Sequence, residues 1–254
     1  METRFEFRDF LKVFGTAIFL YVIFVYLLTL VPEVDVFFIT LHPSIAFLIQ
    51  YLLQFVILFC PLWFFVVAKY NARLDDFGFQ KVSLKCLVST VLLAYFAYVL
   101  LMLGIVLTLY MTGTALPGYE AQESHLPLFG QDFWGILIGF VLVGVFAPFL
   151  EEFLFRGFVY RVFVKIWPLW LGSVLSAVLF ALIHVQFQTF IPLFILGLIL
   201  NETYRRTGSV WTSVAFHSFN NILAFGLEVY LSLHPEALDS IAELPHFLYN
   251  VQIG

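Results

Sequence analysis

The chain has 254 residues, 62% of them hydrophobic and only 11% charged, with a mean hydropathy of +0.99 and a net charge of −5. A soluble globular domain carries roughly 25% charged residues, so a water-soluble fold is excluded, and with no basic surplus no nucleic-acid partner is expected. The two cysteines, Cys60 and Cys86, flank one loop within apolar segments and suggest packing rather than a disulfide framework or a zinc knuckle.

Apolar runs long enough for a helix to cross a bilayer recur along the whole length, and the alternating pattern of a membrane barrel is missing. The chain reads as all-α, a polytopic transmembrane helical bundle of about seven spans forming a single membrane domain, 1–254. The spans are Leu11–Val31, Ile45–Lys69, Leu84–Met111, Phe133–Ile166, Leu169–Phe187, Phe190–Tyr204 and Val210–Leu231. The first is too long for a signal-peptide core and no small-residue cleavage site follows, so it is expected to be retained. The fourth exceeds one crossing and is expected to tilt or project. Gly135, Gly139 and Gly144 along it permit close helix approach and make it a central helix. The sixth is short, and so tilted, kinked or incompletely spanning. The stretch His234–Gly254, interrupted by Pro235 and Pro245, either lies on the surface or forms an eighth, partial helix.

Charge placement sets an orientation. Arg4, Arg8 and Lys12 precede span one; Lys69, Arg73, Lys81 and Lys85 surround the loop between spans two and three. Arg156, Arg161 and Lys165 end span four, and Arg205 and Arg206 lie between spans six and seven. Loops 32–44, 112–132 and 185–190, and the tail after 231, contain no Lys or Arg. All twelve basic residues therefore fall on one side of a seven-span arrangement, which puts the N-terminus inside and the C-terminus outside.

Against this apolar background a few polar residues stand out. Glu151 and Glu152 sit together inside an apolar run, and an acid at membrane depth needs a partner or a job. Glu152 and Arg156 are four apart with the acid N-terminal, the favourable order for an ion pair, so Glu152 is assigned to structure and Glu151, on another face, to chemistry. Pro148 cannot donate to the carbonyl of Gly144 and loosens the helix beside Glu151. By helical rise, Glu151 and His184 lie at matching depths, roughly 21–24 Å from the turn at Trp167–Pro168 that joins their helices. His217 and Asn221 share a face, with Asn220 a near neighbour, and an imidazole plus an amide suit an oxyanion. Hydrogen bonding between helices is the plainer account of any one of these residues; the matched depths and shared faces argue for a common site.

Three local patterns carry a family resemblance. Glu151-Glu152-Phe153-Leu154-Phe155-Arg156 matches EExxxR, Phe180-Ala181-Leu182-Ile183-His184 matches FxxxH, and His217-Ser218-Phe219-Asn220-Asn221 matches HxxxN. In this order on successive helices, and with Thr207–Trp211 leading into His217, the chain resembles the CAAX-protease and bacteriocin-processing (CPBP, or Abi) family of intramembrane proteases over roughly 133–224. The resemblance implies a catalytic helical core, 133–231, beside variable helices in 1–111. It implies a hydrated cavity open toward the cytosol, in a cell membrane that is prokaryotic on this reading. It implies that Glu151 activates water with His184, that His217 and Asn221 stabilise the oxyanion, and that the substrate is a membrane-embedded or lipid-anchored peptide or protein. Glu152, Arg156, Phe180 and Asn220 are expected in supporting positions.

No cofactor is required by this reading. The alternative is a zinc enzyme, in which Glu151, His184 and His217 bind the metal and Glu152 acts as base. A transporter would also place Glu, His and Asn within helices, but repeat symmetry and paired broken helices are absent. A non-catalytic immunity or scaffold protein would need none of the intramembrane acids.

Overall fold

Wherever the sequence is continuously apolar the backbone is helical, because in a bilayer each N–H and C=O must be satisfied within its own segment. The computed structural model describes residues 3–30, 37, 40–114, 116–119, 126–234 and 236–237; among these there are helices and no strands. In chain order the long helices are α1 Phe7–Thr29, α2 Pro43–Ala68, α3 Leu84–Thr112, α4 Phe133–Ile166, α5 Leu169–Ile183, α6 Phe190–Thr207 and α7 Val210–Leu233. Each lies on one expected span. Nearly all of the expected eighth segment falls outside the described residues.

Local chemistry sets the boundaries. The Asp132 carboxylate accepts from the N–H groups of Trp134 and Gly135 at 3.0 and 3.1 Å and starts α4. The Gly135 bond in particular holds that carboxyl below the usual range. Gly113 and Gly208 take left-handed backbone and end α3 and α6.

Among the described residues, five helices are long and apolar enough to cross a membrane: α1 to α4, and α6 with the turn before it, Phe187–Thr207. The sequence expectation was seven. Helix α5 has 15 residues, a rise of about 22 Å. Helix α7 has 24 residues, but its apolarity is diluted by Thr212, Ser213, His217, Ser218, Asn220 and Asn221. The two helices that fall short are those that bring His184, His217 and the two asparagines.

Helix α4 is central, as its glycines suggest. A side chain at Gly139 would run into the Phe225 ring, and one at Gly144 into Ile222, so their absence lets α7 lie directly against α4. The helix also contains two π-helical stretches, Leu142–Phe146 and Phe155–Val159, on either side of the two glutamates. Such bulges are frequent at functional sites.

The end of the bundle that carries the basic residues is sealed. The loop after α2 folds back over it, with Val210 N–H donating to the Gly78 carbonyl and Ser209 Oγ to that of Gln80. Phe77 stacks on Phe153 at 4.5 Å between centroids and packs at a tilt on Phe5 at 4.9 Å, while Phe79 meets the edge of Trp211 at 5.0 Å.

Candidate active site

Glu151 and Glu152 are neighbours in sequence, and helical geometry sends them to different surroundings. Glu152 is fully buried and accepts from Arg156 Nη1 at 2.7 Å; Arg156 is also fully buried and its Nη2 donates to the Gly197 carbonyl at 2.9 Å. The same Glu152 oxygen lies 2.9 Å from His217 Nδ1. The Glu151 side chain is 28% exposed and faces a cavity.

The two imidazoles are each held from behind. His184 caps α5, and its Nδ1 donates to the Phe180 carbonyl at 2.7 Å. His217 Nδ1 is held by Glu152. Both Nε2 atoms are thereby turned toward Glu151, whose Oε2 lies 3.7 Å from His184 and 3.9 Å from His217. These distances exceed a direct hydrogen bond and suit one bridging molecule. Phe180 is the common support: its ring contacts His184 at 4.9 Å and His217 at 5.8 Å, and carries the Arg156 guanidinium on its face at 4.7 Å. The FxxxH spacing thus supplies both the histidine and the surface that it and the ion pair rest on.

Asn221 Nδ2 donates to the Val143 carbonyl at 3.1 Å. This carbonyl needs a donor for a definable reason. In the π stretch, Ala147 N–H reaches Leu142, five residues back; the next donor in that register would be Pro148, which has no N–H. By α-helical counting the freed carbonyl is that of Gly144; the π register moves it to Val143, and α7 supplies the missing bond. One amide N–H of Asn221 is therefore structural, and the second is left for the cavity. Asn220 lies beside it, 3.5 Å from Nδ2 to Asn221 Oδ1.

Glu151, His184, His217, Asn220 and Asn221 all line one cavity of about 380 Å³, with Glu152, Arg156 and Phe180 behind its wall. Three further features were not anticipated. First, α2 forms one wall through Tyr51, Gln54 and Phe55, and α3 adds Tyr98, so two of the helices of 1–111 are part of the site. Gln54, one of two amides with Gln50 in an otherwise apolar stretch, was the available signal. Second, Glu228, Gln186 and Thr189 line the cavity away from Glu151. Third, the cavity does not run toward the basic end. From Phe59 it follows α2 back to Phe47, and from His217 it follows α7 on to Glu228, about 17 Å in each case by helical rise. Phe77 and Phe79, on the loop that packs against the basic end, are not among the lining residues.

Among the described residues, no group of three or more His, Cys, Asp and Glu side chains is arranged to hold a metal ion.

Residues 133–223 match the family model described as type II CAAX prenyl endopeptidase, Rce1-like. The chain is 33% identical over 87 residues to an uncharacterised 24.3 kDa protein of Escherichia coli, covering 32% of this chain and 40% of that protein. It is likewise 33% identical over 85 residues to the UPF0177 protein YbdI of Lactococcus lactis subsp. lactis (strain IL1403), covering 33% of this chain and 45% of YbdI. The chain thus spans less than half the length of these relatives. No solved structure matches. The resemblance drawn from the three motifs is borne out over the segment that holds α4 to α7.

Proposed function

We propose, taking residues 133–223 as an Rce1-like core, that the chain is an intramembrane endopeptidase that hydrolyses a peptide bond with water activated by Glu151. The observation that carries this reading is the carboxylate oxygen of Glu151 set 3.7 and 3.9 Å from two imidazole Nε2 atoms in a cavity. A water among these three groups gives a proton to Glu151 as its oxygen attacks the scissile carbonyl carbon. His184, with Nδ1 committed to Phe180, orients that water through Nε2. The carbonyl oxygen becomes an oxyanion, met by the second N–H of Asn221 and by protonated Nε2 of His217. Glu152, bonded to Nδ1 of His217, holds that ring with Nε2 toward the cavity. When the C–N bond breaks, Glu151 returns its proton to the departing amine.

The sidedness of the twelve Lys and Arg residues supports seven crossings, including α5 and α7, with the N-terminus inside. We place the chain in the cell membrane of a prokaryote, with lipid and a membrane-associated peptide or protein as its partners.

A zinc-dependent version is the second reading, and one observation favours it. A carboxylate with two imidazoles is a hydrolytic zinc donor set, and each imidazole is anchored through its other nitrogen as ligand histidines are. Zinc on Glu151, His184 and His217 would supply a polarised water; the surrounding residues would keep their orienting roles. Cleavage of a fluorogenic peptide by the purified protein, with and without a chelator and compared with Glu151→Gln, tests both readings. Full activity after exhaustive chelation rejects zinc. No cleavage under any condition rejects the peptidase and leaves the transporter and scaffold readings.

A further inference from the structure

The cavity that holds Glu151 has a floor and a mouth, and they lie at opposite ends of the charge pattern. The floor is built by Glu151, Leu154, Phe59 and His217. Beneath it lie fully buried aromatics, Phe155, Phe158 and Phe216, and the Phe77–Gln80 loop bonded to the start of α7. The mouth end is lined by Phe47 near the start of α2, Leu128, Gln186 after α5 and Glu228 near the end of α7, none of them buried. Every one of those helix ends is free of Lys and Arg, whereas Arg73, Lys81, Arg161, Arg205 and Arg206 belong to the sealed end.

We infer that the site is served from the extracytoplasmic side, and that its substrate is an apolar peptide segment presented at the outer face or in the outer leaflet rather than a cytosolic tail. The positive-inside rule puts the sealed, basic end in the cytoplasm. The path from mouth to Glu151 is about 17 Å, room for about five residues of extended chain. Its walls are Phe47, Phe55, Leu193 and Phe225, relieved by neutral Gln54 and Gln186, which suits an apolar stretch. A carboxylate-terminated tail delivered from the cytoplasm meets the aromatic seal instead.

The nature of the occupant rests on the peptidase reading; the side of access does not. Gln186→Cys at the mouth and Gln80→Cys at the sealed end are made separately in a chain carrying Cys60→Ser and Cys86→Ser. Intact cells are exposed to a charged, membrane-impermeant maleimide. The expected result is labelling of Gln186→Cys before permeabilisation and of Gln80→Cys only after it. Exposed Gln188→Cys repeats the mouth measurement where Gln186→Cys does not fold. Labelling of Gln80→Cys but not of the mouth positions in intact cells overturns the inference. So does labelling of both ends from outside. Cleavage by the same variants in detergent is assayed in parallel: expected labelling with no cleavage retires the peptidase but leaves the sidedness standing. With cleavage present, the maleimide added outside right-side-out vesicles should abolish it in Gln186→Cys.

Discussion

Asp9 and Glu151 are both carboxylates set into apolar helices, and their surroundings are opposite. Asp9 has no exposure, and its oxygens accept from Lys69 Nζ at 2.6 Å, the Tyr70 hydroxyl at 2.7 Å and the Glu6 N–H at 2.9 Å. Its needs are met, and it fastens the start of α1 to the end of α2. Glu151 faces a cavity, and its Oε2 has no hydrogen-bond partner within the protein. A saturated carboxylate holds structure; one aimed at two imidazole nitrogens that it does not touch is arranged for a third molecule. Glu152 stands nearer to Asp9, since Arg156 and His217 both hold its Oε1 while its Oε2 is buried without a hydrogen-bond partner and away from the cavity; its only sequence distinction from Glu151 is one position.

The strongest way to break this contrast is Glu151→Gln. Removing the base should lower kcat by up to about 10⁴, while thermal unfolding in detergent stays unchanged because no internal bond is lost. An active Glu151→Gln enzyme would end the assignment. Glu152→Gln should do the reverse. It leaves Arg156 buried without its counter-charge, which costs about 3–5 kcal/mol of stability, read as a lowered melting point and yield. Activity surviving in the folded fraction is expected to be reduced as well, since His217 loses its orienting acid.

Much of this was legible in the sequence. The positions of the long helices followed from the apolar runs, and EExxxR spacing alone paired Glu152 with Arg156 because four residues is nearly one turn. What was hidden depended on registers and distances that local pattern does not encode. The π stretch shifts the orphaned carbonyl from Gly144 to Val143, so the structural duty of Asn221 could not be counted out in α-helical steps. Asp9 meets Lys69 across sixty residues, with no periodicity to announce it. The mouth of the cavity is set by where the Phe77–Phe79 loop folds, and a loop sequence rich in Phe reads equally well as surface.

Asn221 sharpens the comparison because it sits between the two classes. As an oxyanion donor it should cost about 10²–10³ in kcat when changed to alanine, with little change in KM. As a tie to Val143 alone it should cost about 1 kcal/mol of stability and leave kcat intact. We expect both losses in Asn221→Ala and much smaller ones in Asn220→Ala, measured by steady-state kinetics beside thermal unfolding. A normal kcat with a lowered melting point would move Asn221 wholly to the structural side.

The smallest effect is expected at Asp9, and there it should appear in stability only. Lys69→Met removes one charged donor while Tyr70 and the Glu6 N–H keep theirs, so the carboxylate is weakened rather than stranded. A hydrogen bond to a charged group is worth about 1.5–3 kcal/mol; because the Lys69 side chain is about one-third exposed, screening should bring the loss to the lower part of that range. Chemical denaturation in detergent reads that loss directly. The kcat and KM of Lys69→Met should equal those of the parent, because Asp9 orders the start of α1 and touches nothing that lines the cavity. If kcat falls while the folded fraction is unchanged, the fastening of α1 to α2 controls the wall that carries Tyr51 and Gln54, and the separation between the saturated and the unsaturated carboxylate no longer holds.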